Sequence, residues 1–77
     1  MEIKKSTRKN KKYMIRYKNK WIHFGDNRYE HYRDSTPLQL YKNLNHNDPD
    51  RRRLYYARHG RDAKIGTPKY YSHKFLW

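Results

Sequence analysis

Residues 12–24, KYMIRYKNKWIHF, alternate in the manner of a strand pair. In the first half Tyr13, Ile15 and Tyr17 fall on one side of an extended chain; in the second, Trp21 and His23 lie opposite Ile22 and Phe24. A repeat of two is what a half-buried strand requires. Lys18 and Asn19 stand between the halves as a two-residue turn, because Asn tolerates the positive φ that such turns demand. An antiparallel hairpin is predicted. Gly25, Asp26 and Asn27 give a second turn signal, after which RYEHY (28–32) reads as a short third strand.

Downstream the period changes. Thr36 and Pro37 form a helix start, since a hydroxyl can accept a free N–H and proline fits the first helical position. Leu38, Leu40, Tyr41 and Leu44 then recur at helical spacing, predicting a short helix over 37–44 docked on the hairpin. A longer helix is predicted in NHNDPDRRRLYYARHG (45–60): Asp48 caps it, Pro49 opens it, Arg58 and His59 suit its negative end and Gly60 stops it. Thr67 and Pro68 repeat the start device, with Tyr71, Phe75 and Leu76 as the apolar stripe. A sequence finishing on Phe75, Leu76 and Trp77 is expected to tuck that end into the core, because those three would otherwise form an exposed apolar patch. Trp21, Phe24, Leu54, Tyr55, Leu76 and Trp77 are assigned to the core, with Tyr55 holding the long helix to the hairpin.

Seventy-seven residues allow one domain with a modest core. Hydrophobic residues make up 34% and charged ones 35%, yet aromatics reach 17%, so the apolar material is concentrated in large rings with polar edges. Cysteine is absent, which excludes disulfides, thiolate zinc sites and thiol catalysis. No apolar run reaches the roughly 18 residues of a membrane span, and the lysine-rich start lacks the apolar stretch of a secretory signal, so an intracellular protein is expected.

The net charge of +13 is unevenly placed. Residues 1–20 carry nine Lys/Arg against one acid and residues 51–77 eight against one, flanking a middle with three against five. Blocks of one sign attract polyanions, with counterion release supplying affinity. Nucleic acid is the leading partner, an acidic protein surface the next; a membrane is disfavoured for want of a strongly apolar face. Residues 1–12 read as a basic arm preceding a compact domain at 13–77. Lys4, Lys5, Arg8, Lys9, Lys11 and Lys12 are the expected contacts on the arm, and Arg51, Arg52, Arg53 and Arg61 those on the domain. Basic residues interleave with aromatics in KKYMIRYKNKW, RRRLYYAR and KYYSHKF, although in so small a chain the rings are needed first for the core. Two helices joined by NHN could also form a helix-turn-helix, but its first helix would be short and no third helix supports it.

Catalysis has less support. The five histidines include no H-x-x-x-H or H-E-x-x-H pair, and His46, Asp48 and His59 form a loose set that only the fold could bring together. Metal-dependent nuclease chemistry would need convergent acids, whereas Asp48 and Asp50 serve a helix start. No catalytic residue, cofactor or metal site is assigned.

Taken in order, IHFG (22–25), His46-x-Asp48, Arg51, Tyr55-x-x-Arg58-His59 and the final Leu76-Trp77 resemble a small uncharacterised family of basic proteins from giant (nucleocytoplasmic large) DNA viruses of protists and algae. The resemblance spans about residues 13–77 and leaves the basic arm outside it. It implies a place in the virion, or in the host cytoplasm or viral factory during infection. It implies no enzymatic activity, and leaves two roles: a virion-associated binder of viral DNA, or a minor capsid or cement protein bridging acidic virion proteins. The predicted fold is α+β, an N-terminal antiparallel hairpin of two or three strands packed with two or three short helices.

Overall fold

The computed structural model describes residues 2–77. Its sheet has three antiparallel strands, β1 (Ile3–Lys5), β2 (Lys11–Tyr17) and β3 (Lys20–Asp26), in that spatial order. The β2–β3 hairpin forms as predicted. Lys18 and Asn19 both take positive φ, 49° and 64°, as a mirror-image two-residue turn requires. Arg16 faces Trp21, Ile15 faces Ile22 and Tyr13 faces Phe24.

The third strand is not residues 28–32. Asp26 folds that segment back: its carboxylate accepts from the Arg28 amide and its carbonyl from the Tyr29 amide, and only His31 then makes a bridge, to Asn45. β1 supplies the third strand instead. Ile3 lies opposite Ile15 and Lys5 opposite Tyr13, while Asn10, at φ 66°, turns the chain into β2. Residues 2–12 are therefore not a free arm followed by a domain; the expected boundary at 12 falls inside β2.

One sheet face meets α2 (Pro68–Phe75), and the buried core is Tyr13, Ile15, Phe24, Tyr71, Phe75 and Leu76. Phe24 is central, its ring centroid 5.9 Å from those of Tyr13, Tyr71 and Phe75. Such burial contributes about 1.5–3 kcal/mol per large side chain. Thr67 caps α2 by accepting from the Tyr70 amide. At the other end, the carbonyls of Phe75 and Leu76 accept from the amides of Ser35 and Arg33, so a helix terminus that would strand acceptors is satisfied by the 33–35 segment. Gly25, at φ 78°, makes this closure possible: a Cβ there would lie 2.9 Å from the Leu76 side chain and 3.1 Å from that of Lys12.

Residues 37–44 are not a helix beyond a single 3-10 turn at Lys42–Leu44. The predicted start does form, since Thr36 Oγ1 accepts from the Gln39 amide at 3.1 Å. It is then diverted. Gln39 takes φ 48°, the Leu40 amide donates to the Tyr13 hydroxyl, and the Tyr41 amide donates to Asp34 Oδ2. Amides that would have propagated the helix are bonded to two buried side chains. Leu38 and Leu40 stay exposed. A helix-turn-helix is excluded with the first helix.

α1 (Pro49–His59) matches its prediction end to end. Asp48 accepts from the Asp50 and Arg51 amides, and Gly60 stops the helix at φ 75°, ψ 161°, a region glycine alone enters readily. No residue of α1 is buried. Leu54, expected in the core, is 51% exposed. Nor does Tyr55 reach the hairpin: its ring stacks on Trp77, centroids 4.2 Å apart and planes 4° from parallel.

Candidate nucleic-acid interface

The seven acids decide where the positive charge is left free. Asp34 is buried and accepts from the hydroxyls of Tyr13 and Thr36 and from two amides. Asp48 is engaged as a helix cap. Asp26 pairs with Arg28, Glu30 with Arg51 and Glu2 with Lys4. Those are the only three ion pairs among the described residues, against 20 Lys and Arg. Most surface cations therefore face water with no carboxylate beside them.

Between α1 and the turn after β3 opens a cleft of about 750 Å³, lined by Arg28, Glu30, Arg51, Tyr55, Arg58 and His59 among others. Helical spacing places Arg51, Tyr55 and Arg58 on one face. Arg28 and Arg51 reach the cleft held by acids: Arg28 makes two bonds to Asp26, at 3.0 and 2.8 Å, and Arg51 one to Glu30, at 2.8 Å. The Arg28 guanidinium holds the Asp26 carboxyl down at about 2, and Arg51 lowers Glu30. Arg58 has no such partner among the described residues, and the His59 ring lies 4.6 Å from that of Tyr55. A second recess is lined by Arg52, Arg53, Tyr56 and Arg61.

The predicted contact residues divide accordingly. Arg51, Arg52, Arg53 and Arg61 lie on or beside α1, with Arg61 over the Tyr56 ring at 4.8 Å. Lys4 and Lys5 lie on β1, Arg8 and Lys9 at the turn that follows, and Lys11 at the start of β2. Lys12 is a correction: it is 2% exposed and cannot meet a partner in this fold. Its Nζ donates to the Tyr29 carbonyl at 3.0 Å and to His31 Nδ1 at 2.6 Å. An ammonium only donates, so His31 Nδ1 accepts and its Nε2 carries the proton given to Asn45 Oδ1. Burial pushes Lys12 down to about 8, opposed by Asp26 and Asp34. Burial and the neighbouring Lys12 push His31 down to about 4.

His46 Nδ1 accepts from the Asp48 amide, while His59 bonds to neither His46 nor Asp48 among the described residues. His73 is joined to the Tyr55 hydroxyl at 2.9 Å and to the Gly60 carbonyl at 3.0 Å. It ties α2 to the end of α1. No group of three or more His, Asp or Glu side chains among the described residues could hold a metal ion. No described helix is long and apolar enough to cross a membrane.

The reading from residues alone left Arg28 and Arg16 out of the expected contacts and assigned Trp21 to the core, where it is only partly buried. Only the strand register brings Arg16 and Trp21 side by side, 5.7 Å from guanidinium to ring.

Fold and surface together define a small basic α+β domain whose acids are largely engaged within the structure. The chain belongs to a family of unknown function (DUF5754), whose profile matches residues 1–44. That match takes in the sheet, the Asp34 hub and the 3-10 turn, and stops before both helices. No curated protein and no solved structure matches the chain.

Proposed function

We infer that this is a small, non-enzymatic, virion-associated protein that binds nucleic acid through its phosphates. The observation that carries the reading is the shortage of internal counter-charge: three ion pairs among the described residues against 20 cations, with Asp34 and Asp48 engaged in holding loops and a helix start. A surface of that kind binds a polyanion by releasing its counterions. Arg53, Arg58 and Arg61 supply contacts from the α1 side, and Lys5, Arg8, Lys9 and Lys11 from the sheet side. The viral setting rests on the resemblance of residues 22–25, 46–59 and 76–77 to giant-virus proteins; viral DNA is the partner it suggests.

Exposed Leu38, Leu40, Leu54 and Ile65 favour a second reading, a minor capsid or cement protein seated against virion neighbours. Titration of a fluorescent 20-base-pair duplex at several salt concentrations separates the two. Binding should weaken linearly on a log–log plot, with a slope of roughly −0.9 per phosphate neutralised. No duplex or single-strand binding at about 100 mM salt, together with recovery of the protein in emptied capsid shells, would overturn the first reading in favour of the second.

A further inference from the structure

The sheet has a second face, and no helix of the described residues packs on it; α2 covers the side carrying Tyr13, Ile15 and Phe24. On the open side Lys4, Met14 and His23 form one row across the three strands, and Arg16 and Trp21 form the next. Trp21 is only partly buried there, although a large ring on a strand would ordinarily be used in the core. Two cations attend it: Lys4 Nζ lies 5.3 Å and the Arg16 guanidinium 5.7 Å from the indole. Lys4 also meets Glu2 at 3.4 Å, and His23 Nδ1 is 2.7 Å from the Ser6 hydroxyl.

We propose that this open face binds a single-stranded nucleic acid, with a base stacked on Trp21 and the flanking phosphates held by Lys4 and Arg16. The proposal rests on the nucleic-acid reading above and adds the form of the strand and the place where it lies. A cation beside an aromatic on an open sheet offers both things a splayed nucleotide needs, a surface for its base and a charge for its phosphate. A duplex keeps its bases stacked on one another and can use the charge alone. An acidic peptide would likewise engage the cations and leave the indole without a planar partner.

The test compares a fluorescent 12-base oligo(dT) with a duplex of the same length, using the full chain, Trp21→Ala and Trp21→Phe. Loss of one base stack should weaken oligo(dT) binding roughly 5- to 150-fold in Trp21→Ala. Trp21→Phe should recover most of that loss, and duplex affinity should stay within about 2-fold. Circular dichroism confirms folding. Should Trp21→Ala misfold, Lys4→Gln/Arg16→Gln supplies the second measurement, lowering the salt slope for oligo(dT) by about 1.4. Unchanged oligo(dT) binding in a folded Trp21→Ala overturns the platform and leaves the phosphate-binding reading standing. Competition by poly-glutamate as strong as by oligo(dT) also overturns it. Failure of the native chain to bind either nucleic acid overturns both.

Discussion

α1 and α2 start alike: each has an oxygen-bearing cap followed by proline, and each carries adjacent tyrosines, 55–56 and 70–71. They end up in opposite situations. α2 buries Tyr71 and Phe75 against the sheet, whereas α1 buries nothing and is held from outside by a stack on Trp77, by His73 and by a bond from Arg52 to the Trp77 main-chain oxygen. The difference follows from what lies between the tyrosines and the ends. α2 adds Phe75 four residues after Tyr71, completing an apolar stripe, while in α1 the position four residues after Tyr56 is Gly60, where the helix ends, and the turn before the tyrosines holds Arg51, Arg52 and Arg53. A helix with well-formed ends and no buried face projects its charges; a helix with a buried face defines the fold.

The largest effect should come from testing that asymmetry directly. Phe75→Ala removes a ring from the centre of the core and should cost about 3–5 kcal/mol, enough to unfold a domain of this size. Trp77→Ala removes the stack beneath Tyr55 and should cost about 2 kcal/mol, between the contribution of an aromatic pair and that of a fully buried ring. Amide exchange distinguishes the two. In Trp77→Ala, protection should fall in α1 and persist in β2 and β3; equal loss in both would mean that α1 belongs to the core unit.

Acid should stress the body of the protein through His31, and the attachment of α1 through His46 and His73. His31 sits near 4 in the folded chain, against an ordinary value of 6.5, because burial and Lys12 disfavour its charged form. Between those two values the unfolded chain binds more protons, so stability falls as pH drops through the window. The slope attributable to His31 is at most about 1.4 kcal/mol per pH unit, one proton. His46 and His73 are lowered as well, chiefly by burial, and add to the slope with the same sign. Urea titrations between pH 4 and 6.5 should show midpoints rising with pH. His31→Gln, which takes up no proton, should flatten the curve, and an unchanged slope would remove this pair from the account.

Features set by neighbouring residues were legible in the sequence, and those set by distant partners were not. The 18–19 turn, the cap at Asp48, the stop at Gly60 and the start at Thr67 each depend on a few adjacent positions. β1 was hidden because its one apolar residue, Ile3, stands among lysines, and its pairing depends on Ile15. The false helix at 37–44 had a genuine start at Thr36; what overrode it was Asp34 and Tyr13, the latter more than twenty residues away. Lys12 looked like its neighbours in a basic run. Its burial depends on His31 across the fold and on the missing side chain of Gly25, neither visible as a local pattern. The candidate surface was legible as charge blocks. Which cations remain unpaired was not, because pairing such as Arg51 to Glu30 spans 21 positions.

The smallest effect on stability should come from an arginine that the fold leaves unbonded among the described residues. Arg51, Arg52 and Arg53 are identical in sequence and differ in use: Arg51 pairs with Glu30, and Arg52 lies over Tyr32 and Tyr56 at 5.1 and 5.5 Å while bonding to the Trp77 oxygen at 2.6 Å. Arg53 has no bond, ion pair or ring contact among the described residues. Arg52→Gln should therefore lower stability by about 1 kcal/mol through lost cation–ring and charged hydrogen-bond contacts. Arg53→Gln should leave stability within about 0.5 kcal/mol and reduce the salt slope of duplex binding by about 1. Thermal melts and salt titrations on the two variants measure both quantities. If Arg53→Gln changed neither, its side of α1 would not face the nucleic acid, and the binding surface would contract to the cleft and the sheet.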